Sequence, residues 1–332
     1  MRAMLLRAPG PVESNPLEAV DLPTPAPGPG EVRLTVSVCG VCHTDLHEVE
    51  GELPLPRRPV VPGHQIVGLV EARGDGARRF ALGERVGVPW LHWTCRTCQA
   101  CRRGDENLCE SARFTGYHVD GGYATHALVP EAFAYRLPKG FADAAVAPLL
   151  CAGIIGYRAL RLADVKPGER LGLFGFGASA HIALQVARHW QCEVWVFTRA
   201  AEHRALAKAL GASWVGGAED EPPVLLDRAI SFAPAGSLIP LALARLRKGG
   251  TLALAGIHLD RIPEMPYNLL YGERTLRSVT ASTRRDAEEL LTLAERIPVK
   301  TEVEMFPLND ANLALQRLKA SRIAGAGVLE IA

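Results

Sequence analysis

In the first half of the chain, apolar residues fall in short runs of strand length that glycine and proline keep interrupting. Glu31 to Val38, Gly68 to Ala72 and Glu84 to Val88 are the clearest of these runs, and loops such as Pro23 to Gly30 separate them. The texture predicts an irregular, mostly β domain. After Pro148 the pattern changes. Leu171 to Phe174 reads as a strand, and Ala180, Ala183, Leu184 and Ala187 then share one helical face. Val194 to Phe197 and Glu202 to Leu210 repeat the strand–helix step, and Gly249 to Ile257 and Leu276 to Ser282 add further strands. Steady alternation of this kind predicts a parallel, doubly wound sheet. From Asp286 onward a helix, a break at Pro298, another strand and another helix are expected. The predicted division is 1–150, 151–285 and 286–332, an α/β protein without internal repeats.

Bulk properties narrow the function. A chain of 332 residues exceeds the usual size of one core, which agrees with two domains. The formal net charge of +1, with acids and bases interspersed, offers no basic face for nucleic acid. The apolar stretch Ala3 to Leu6 is too short for a signal-peptide core, and no run reads as long enough to cross a bilayer, so a cytoplasmic protein without membrane partners is expected. In that compartment eight cysteines point to metal or to chemistry, not to disulfides.

Four of them are clustered. Cys95, Cys98, Cys101 and Cys109 form C-x2-C-x2-C-x7-C, a spacing that lets four thiolates converge on one tetrahedral zinc in a closed, structural site. An iron–sulfur cluster is the rival. The ferredoxin pattern, however, continues with a three-residue gap and a proline, and here the gap is seven residues followed by Glu110. Four metal-free thiols among Arg96, Arg102 and Arg103 would be reactive. Cys42, His64 and Cys151 are of the right types for an open, three-ligand zinc site, but the sequence alone does not bring them together, and each is as readily an inert buried side chain.

A glycine-rich turn, Gly175-Phe176-Gly177-Ala178-Ser179-Ala180, follows a strand and opens a helix. That is the context in which bare backbone and a helix N-terminus cradle a dinucleotide pyrophosphate. An acid at the end of the next strand would hold the ribose 2′-OH of NAD. This chain has Val196-Phe197-Thr198-Arg199 there, with no acid before Glu202. The Thr198 hydroxyl and the Arg199 guanidinium suit a 2′-phosphate, so NADP(H) is expected over NAD(H), with Arg204 placed to assist. The bland alternative for Arg199 is a solvated surface charge.

The order Cys39-Gly40-Val41-Cys42-His43-Thr44-Asp45-Leu46-His47, Pro62-Gly63-His64, the four-cysteine loop, Leu150-Cys151-Ala152-Gly153 and the glycine turn resembles the zinc-containing medium-chain alcohol dehydrogenases along nearly the whole chain. The resemblance implies a GroES-like catalytic domain, a Rossmann domain and two zinc ions per chain. Cys42, His64 and Cys151 would bind the catalytic ion, and Cys39 and Cys192 would be structural. It also implies a proton path from Thr44 at the substrate oxygen to His47 and on through the cofactor ribose to solvent, with Asp45 orienting the zinc-bound histidine. A hydroxyl followed by an imidazole is a chemically suitable relay. The substrate would be a small alcohol or aldehyde, and the assembly a homo-oligomer, dimer or tetramer, paired through the cofactor-domain sheet.

Several positions depart from the family pattern. Gln65 replaces a glutamate and removes a charge near the metal. Ile154-Ile155-Gly156 replaces threonines, and Gly-Ala-Gly around Ala326 replaces a Gly-Arg pair. Glu52-Leu53 stands in place of Asp-Trp, leaving Trp90, His92 and Trp93 as candidate pocket walls. Together these lean toward the cinnamyl-type, NADP-dependent subgroup. Two other readings compete with an alcohol dehydrogenase, and metal content separates them. A quinone or enoyl reductase would lack both zinc sites, and a zinc-stabilised NADPH-binding protein without turnover would need only the closed one.

Overall fold

A computed structural model describes residues 1–297, 299–323 and 325–331. Contacts divide the chain into two units: Met1–Cys151 together with the chain from Ser282 on, and Ala152–Ala281.

The first unit is built on β1 (Arg2–Leu6), β2 (Leu17–Asp21), β3 (Glu31–Val41), β4 (Ile66–Arg73), β5 (Arg85–Val88), β6 (Leu91–Trp93), β7 (Arg113–Phe114), β8 (His126–Pro130) and β9 (Tyr135–Arg136). Interspersed are α1 (His43–Glu50), α2 (Gln99–Arg102) and α3 (Asp143–Val146). Strand β3 is its axis. Val32, Leu34 and Val36 alternate inward, as a half-buried strand requires, and from Val38 to Val41 both faces are buried. β3 pairs antiparallel with β4 and with β8.

The second unit carries α4 (Ala152–Leu162), β10 (Arg170–Phe174), α5 (Ala178–His189), β11 (Glu193–Phe197), α6 (Ala201–Ala209), β12 (Trp214–Gly216), β13 (Leu226–Ser231), α7 (Leu238–Ala244), β14 (Leu246–Leu254) and β15 (Thr275–Ser278). Its sheet is parallel throughout, in the order β12-β11-β10-β13-β14-β15. That is the doubly wound dinucleotide-binding order, whose strand order reverses beside β10. Apolar runs such as Leu171–Phe174 and Val194–Phe197 are buried on both faces because helices cover the sheet. The chain then returns to the first unit as α8 (Arg284–Arg296), β16 (Val303–Pro307), α9 (Ala311–Lys319) and β17 (Ala326–Glu330), with β17 pairing antiparallel with β3 so that Gly327 lies opposite Val41.

Three expectations need correction. Cys151 and residues 282–285 fall with the β-rich unit and not within 151–285. At the second boundary the reason is local: the Thr283 hydroxyl and the Asp286 carboxylate form a capping box that starts α8 at Arg284. A closing strand, β17, follows the last helix and was not anticipated. Finally, Asp143–Leu162 is long and apolar enough to cross a membrane by composition, but 67% of it is buried inside the protein and a 3-10 turn at Ala147–Leu150 interrupts it. The break expected at Pro298 lies outside the described residues.

Candidate active site

Helix α1 organises the first constellation. Its N-cap is Cys42, in extended conformation, whose sulfur accepts from the Thr44 amide at 3.3 Å. The Asp45 carboxylate reaches back to the Cys42 amide at 2.9 Å. This reciprocal capping, with sulfur in the usual place of a hydroxyl, fixes the start of the helix and aims its positive end at the thiol. The other Asp45 oxygen accepts from the Gly63 amide at 3.2 Å and lies 3.1 Å from His64 Nδ1. A hydrogen on Nδ1 facing that carboxylate leaves the Nε2 lone pair free, and Nε2 stands 3.1 Å from Cys42 Sγ. Cys151 follows the 3-10 turn Ala147–Leu150, and its sulfur completes a set with Cys42 and His64 whose ligand atoms all lie within 4.8 Å of one another.

The donor chemistry fits a zinc ion with one corner left for substrate: two sulfurs, one imidazole and an orienting carboxylate. The Cys151 sulfur and burial push the Cys42 thiol well above its ordinary value. Burial works against a charge on His64, yet Cys42 and Asp45 hold its pKa well above the ordinary one. A divalent cation bound there would displace the thiol protons and take the two sulfurs as thiolates beside the neutral imidazole.

Gly63 allows His64 to reach this place. Its φ is +98°, and a Cβ there would come 2.4 Å from the Tyr123 ring. Gly63→Ala is therefore expected to combine left-handed strain with overpacking and destabilise the protein by about 3 kcal/mol, with zinc content falling alongside. Urea denaturation with metal analysis checks this, and a variant as stable and metal-replete as the parent would contradict it.

Thr44 and His47 lie on the same helix and are both buried, at 8% exposure, so neither is a surface residue. His47 Nδ1 meets the Glu52 carboxylate at 2.5 Å. That partner was missed in the sequence, where Glu52 was read only for the tryptophan absent after it. Trp90 stands at the site as expected, its ring 4.8 Å from that of His64 and stacked on Phe114 at 5.0 Å. Trp93 does not. It lines a surface hollow with Cys95, Arg96 and Glu131. His92 is buried in β6, one residue away.

The four-cysteine loop is a separate set in the same unit. β6 and β7 pair at its base, and the Glu106 carboxylate ties it to the Arg284 amide and guanidinium at 3.1 and 3.0 Å. All four sulfurs lie within 4.8 Å of one another, with Cys95 at 3.9 Å from Cys101 and 3.5 Å from Cys109. Tetrahedral zinc with bonds of about 2.3 Å places sulfurs about 3.8 Å apart, so the set fits. Amide donors of Thr97 and Cys98 bring the Cys95 thiol down to about 6, while burial pushes the Cys101 thiol up to about 12.

In the second unit the glycine turn joins β10 to α5. Gly175 has φ +85°, and a Cβ there would approach the Ala233 amide at 2.9 Å. Gly177 is the N-cap of α5, and the space where its Cβ would be is open. Phe176 is buried, while Ala178 and Ser179 begin the helix half-exposed. The arrangement leaves bare amides at a helix N-terminus, suited to a pyrophosphate. Thr198 follows β11, its amide bonded to the Gly216 carbonyl at 2.8 Å and its own carbonyl held by Arg204 Nε at 2.9 Å. Arg199 beside it is exposed.

Residues 28–139 match the alcohol dehydrogenase GroES-like domain, and residues 180–296 the zinc-binding dehydrogenase domain. The chain is 50% identical to the probable alcohol dehydrogenase AdhA of Mycobacterium tuberculosis, over 100% of this chain and 97% of that protein. A cinnamyl alcohol dehydrogenase from Sorghum bicolor superposes with a TM-score of 0.90 at 28% identity, covering 99% of this chain and 97% of that one. CAD from Helicobacter pylori, complexed with NADP(H), gives 0.89 at 25% identity, covering 100% of this chain and 99% of that one. With a GroES-like domain, a Rossmann-type domain and a 50% identical relative that spans it end to end, the chain belongs to the alcohol dehydrogenase family of zinc-binding dehydrogenases and is an oxidoreductase.

Proposed function

We propose that this protein interconverts a small alcohol and its aldehyde with NADP(H), working toward reduction in the cytoplasm, with two zinc ions per chain. The observation that carries the proposal is the convergence of Cys42, His64 and Cys151, with Asp45 orienting the imidazole. These three residues would hold the catalytic ion, and Cys95, Cys98, Cys101 and Cys109 the structural one. When bound, zinc supplies Lewis-acid polarisation of the substrate oxygen and the nicotinamide supplies or takes up hydride. The chain's own part is proton handling. The Thr44 hydroxyl exchanges the proton at the substrate oxygen, and the His47 imidazole relays it, with Glu52 holding Nδ1. Trp90 and its stacked neighbours keep that space dry and set its shape.

The cofactor turn would be formed by Gly175, Phe176, Gly177, Ala178 and Ser179. The NADP(H) preference rests on Thr198, on the exposed Arg199 and on the lack of an acid between β11 and Glu202. Arg199→Ala should lower the specificity constant for NADPH by roughly 10- to 100-fold and leave that for NADH within about twofold, since a charge-assisted bond to phosphate is worth a few kcal/mol. A panel of aldehydes assayed with both cofactors tests this. A parent enzyme that prefers NADH overturns the preference.

A homo-oligomer, dimer or tetramer, completes the proposal. Its support is the edge strand β15 and the aromatic surface beside it, where Tyr267 and Tyr271 are 74% and 66% exposed.

A further inference from the structure

Glu48 is a side chain that the proton path does not use. It lies on α1 four residues after Thr44 and three after Asp45, and therefore on the helix face they share. It is 0% exposed, and neither carboxylate oxygen has a hydrogen-bond partner among the described residues. No lysine or arginine among the described residues pairs with it. A buried carboxylate in that condition is costly unless a positive charge lies nearby. Its own helix places it beside the site: Cys42 caps α1, and Asp45, three residues before Glu48, lies 3.1 Å from His64 Nδ1. Burial and the Asp45 carboxylate push Glu48 well above the usual carboxylate range, His64 pulls it back and Cys42 adds to the rise. Glu48 acts in turn on Tyr117, whose ring lies 5.7 Å from that of Trp90. These are the walls of the Cys42–His64–Cys151 site. Among the described residues no lysine or arginine answers this charge, and a divalent cation held by Cys42, His64 and Cys151 would.

The residue after His64 offers no alternative charge. Gln65 is neutral and 2% exposed, and its side chain packs flush over Gly40, within 2.8 Å of where a Cβ there would stand. We propose that Glu48 is a positioning residue of the metal site: its carboxylate, on the helix face shared with Asp45, supplies from α1 the negative charge that Gln65 lacks and raises the site's affinity for a divalent cation. This rests on the zinc-site reading above. It requires no direct bond between Glu48 and the metal.

The test is a zinc competition titration of the full-length protein against a chromophoric chelator, on the parent, Glu48→Gln and Glu48→Asp. Repeating it on Cys42→Ala assigns the two classes of site. Glu48→Gln keeps the shape and removes the charge, so the three-ligand site should weaken roughly 10- to 100-fold, as is typical when a group supporting a metal ligand is lost. The four-cysteine site should stay within about twofold, as an internal control, and Glu48→Asp should retain most of the affinity. The metal-free Glu48→Gln protein should melt no lower than the metal-free parent, because the carboxyl it replaces is buried without a hydrogen-bond partner among the described residues. A three-ligand site unchanged within about twofold in Glu48→Gln overturns the role of Glu48 while leaving the zinc reading intact. A parent that binds a single zinc overturns that reading itself.

Discussion

Cys42→Ala is expected to lower turnover of any aldehyde by about 10³-fold or more, equivalent to about 4 kcal/mol of transition-state stabilisation, while zinc falls from two ions per chain to one. The loss of the capping sulfur should cost only about 1 kcal/mol of stability, so the variant remains folded. NADPH binding should survive, because the glycine turn and Thr198 belong to the other unit. The measurements are initial rates, metal analysis and cofactor fluorescence on one preparation. Turnover close to the parent's would mean that the constellation around α1 is not where the reaction occurs.

The second large effect concerns the four-cysteine loop. Cys98→Ser should release one zinc and leave the three-ligand site occupied. The loss of a structural ion costs on the order of 4 kcal/mol here, less than in an isolated zinc finger, because β6, β7 and the Glu106–Arg284 contact still tether the loop. The loop is rich in arginine. Trypsin should therefore cut the variant at Arg96, Arg102 or Arg103 under conditions that leave the parent whole. A variant with both zincs and full resistance would rule out a four-thiolate site.

Much of this was legible in the sequence where pattern and chemistry coincide. The strands at Leu171 and Val194 announce themselves because a parallel strand buried on both faces must be apolar throughout. The four cysteines announce themselves because their spacing has little other use. By contrast, β12 is three residues long and β13 carries Asp227 and Arg228 amid its apolar residues, so neither stands out by composition. The meeting of Cys42, His64 and Cys151 depends on β3, the Gly63 turn and the 3-10 turn before Cys151 all arriving together, and no local rule encodes that. Resemblance supplied it. Glu52 was hidden because its partner is five residues back across the end of a helix. Glu48 could have been found. Helical spacing puts it with Thr44 and Asp45, and an acid at a position that the helix buries should have drawn notice.

That one short helix holds so much has a mechanical consequence. Its cap donates the sulfur, its first turn carries the hydroxyl and the orienting carboxylate, and its last turn the imidazole and the remaining acid. Thermal drift of the surrounding sheet carries all five groups along the same vector, so their mutual spacing survives motions that would blur a site assembled from five loops. Variation among relatives in speed or preference is then free to accumulate in the parts that meet this cassette, without retuning the cassette itself.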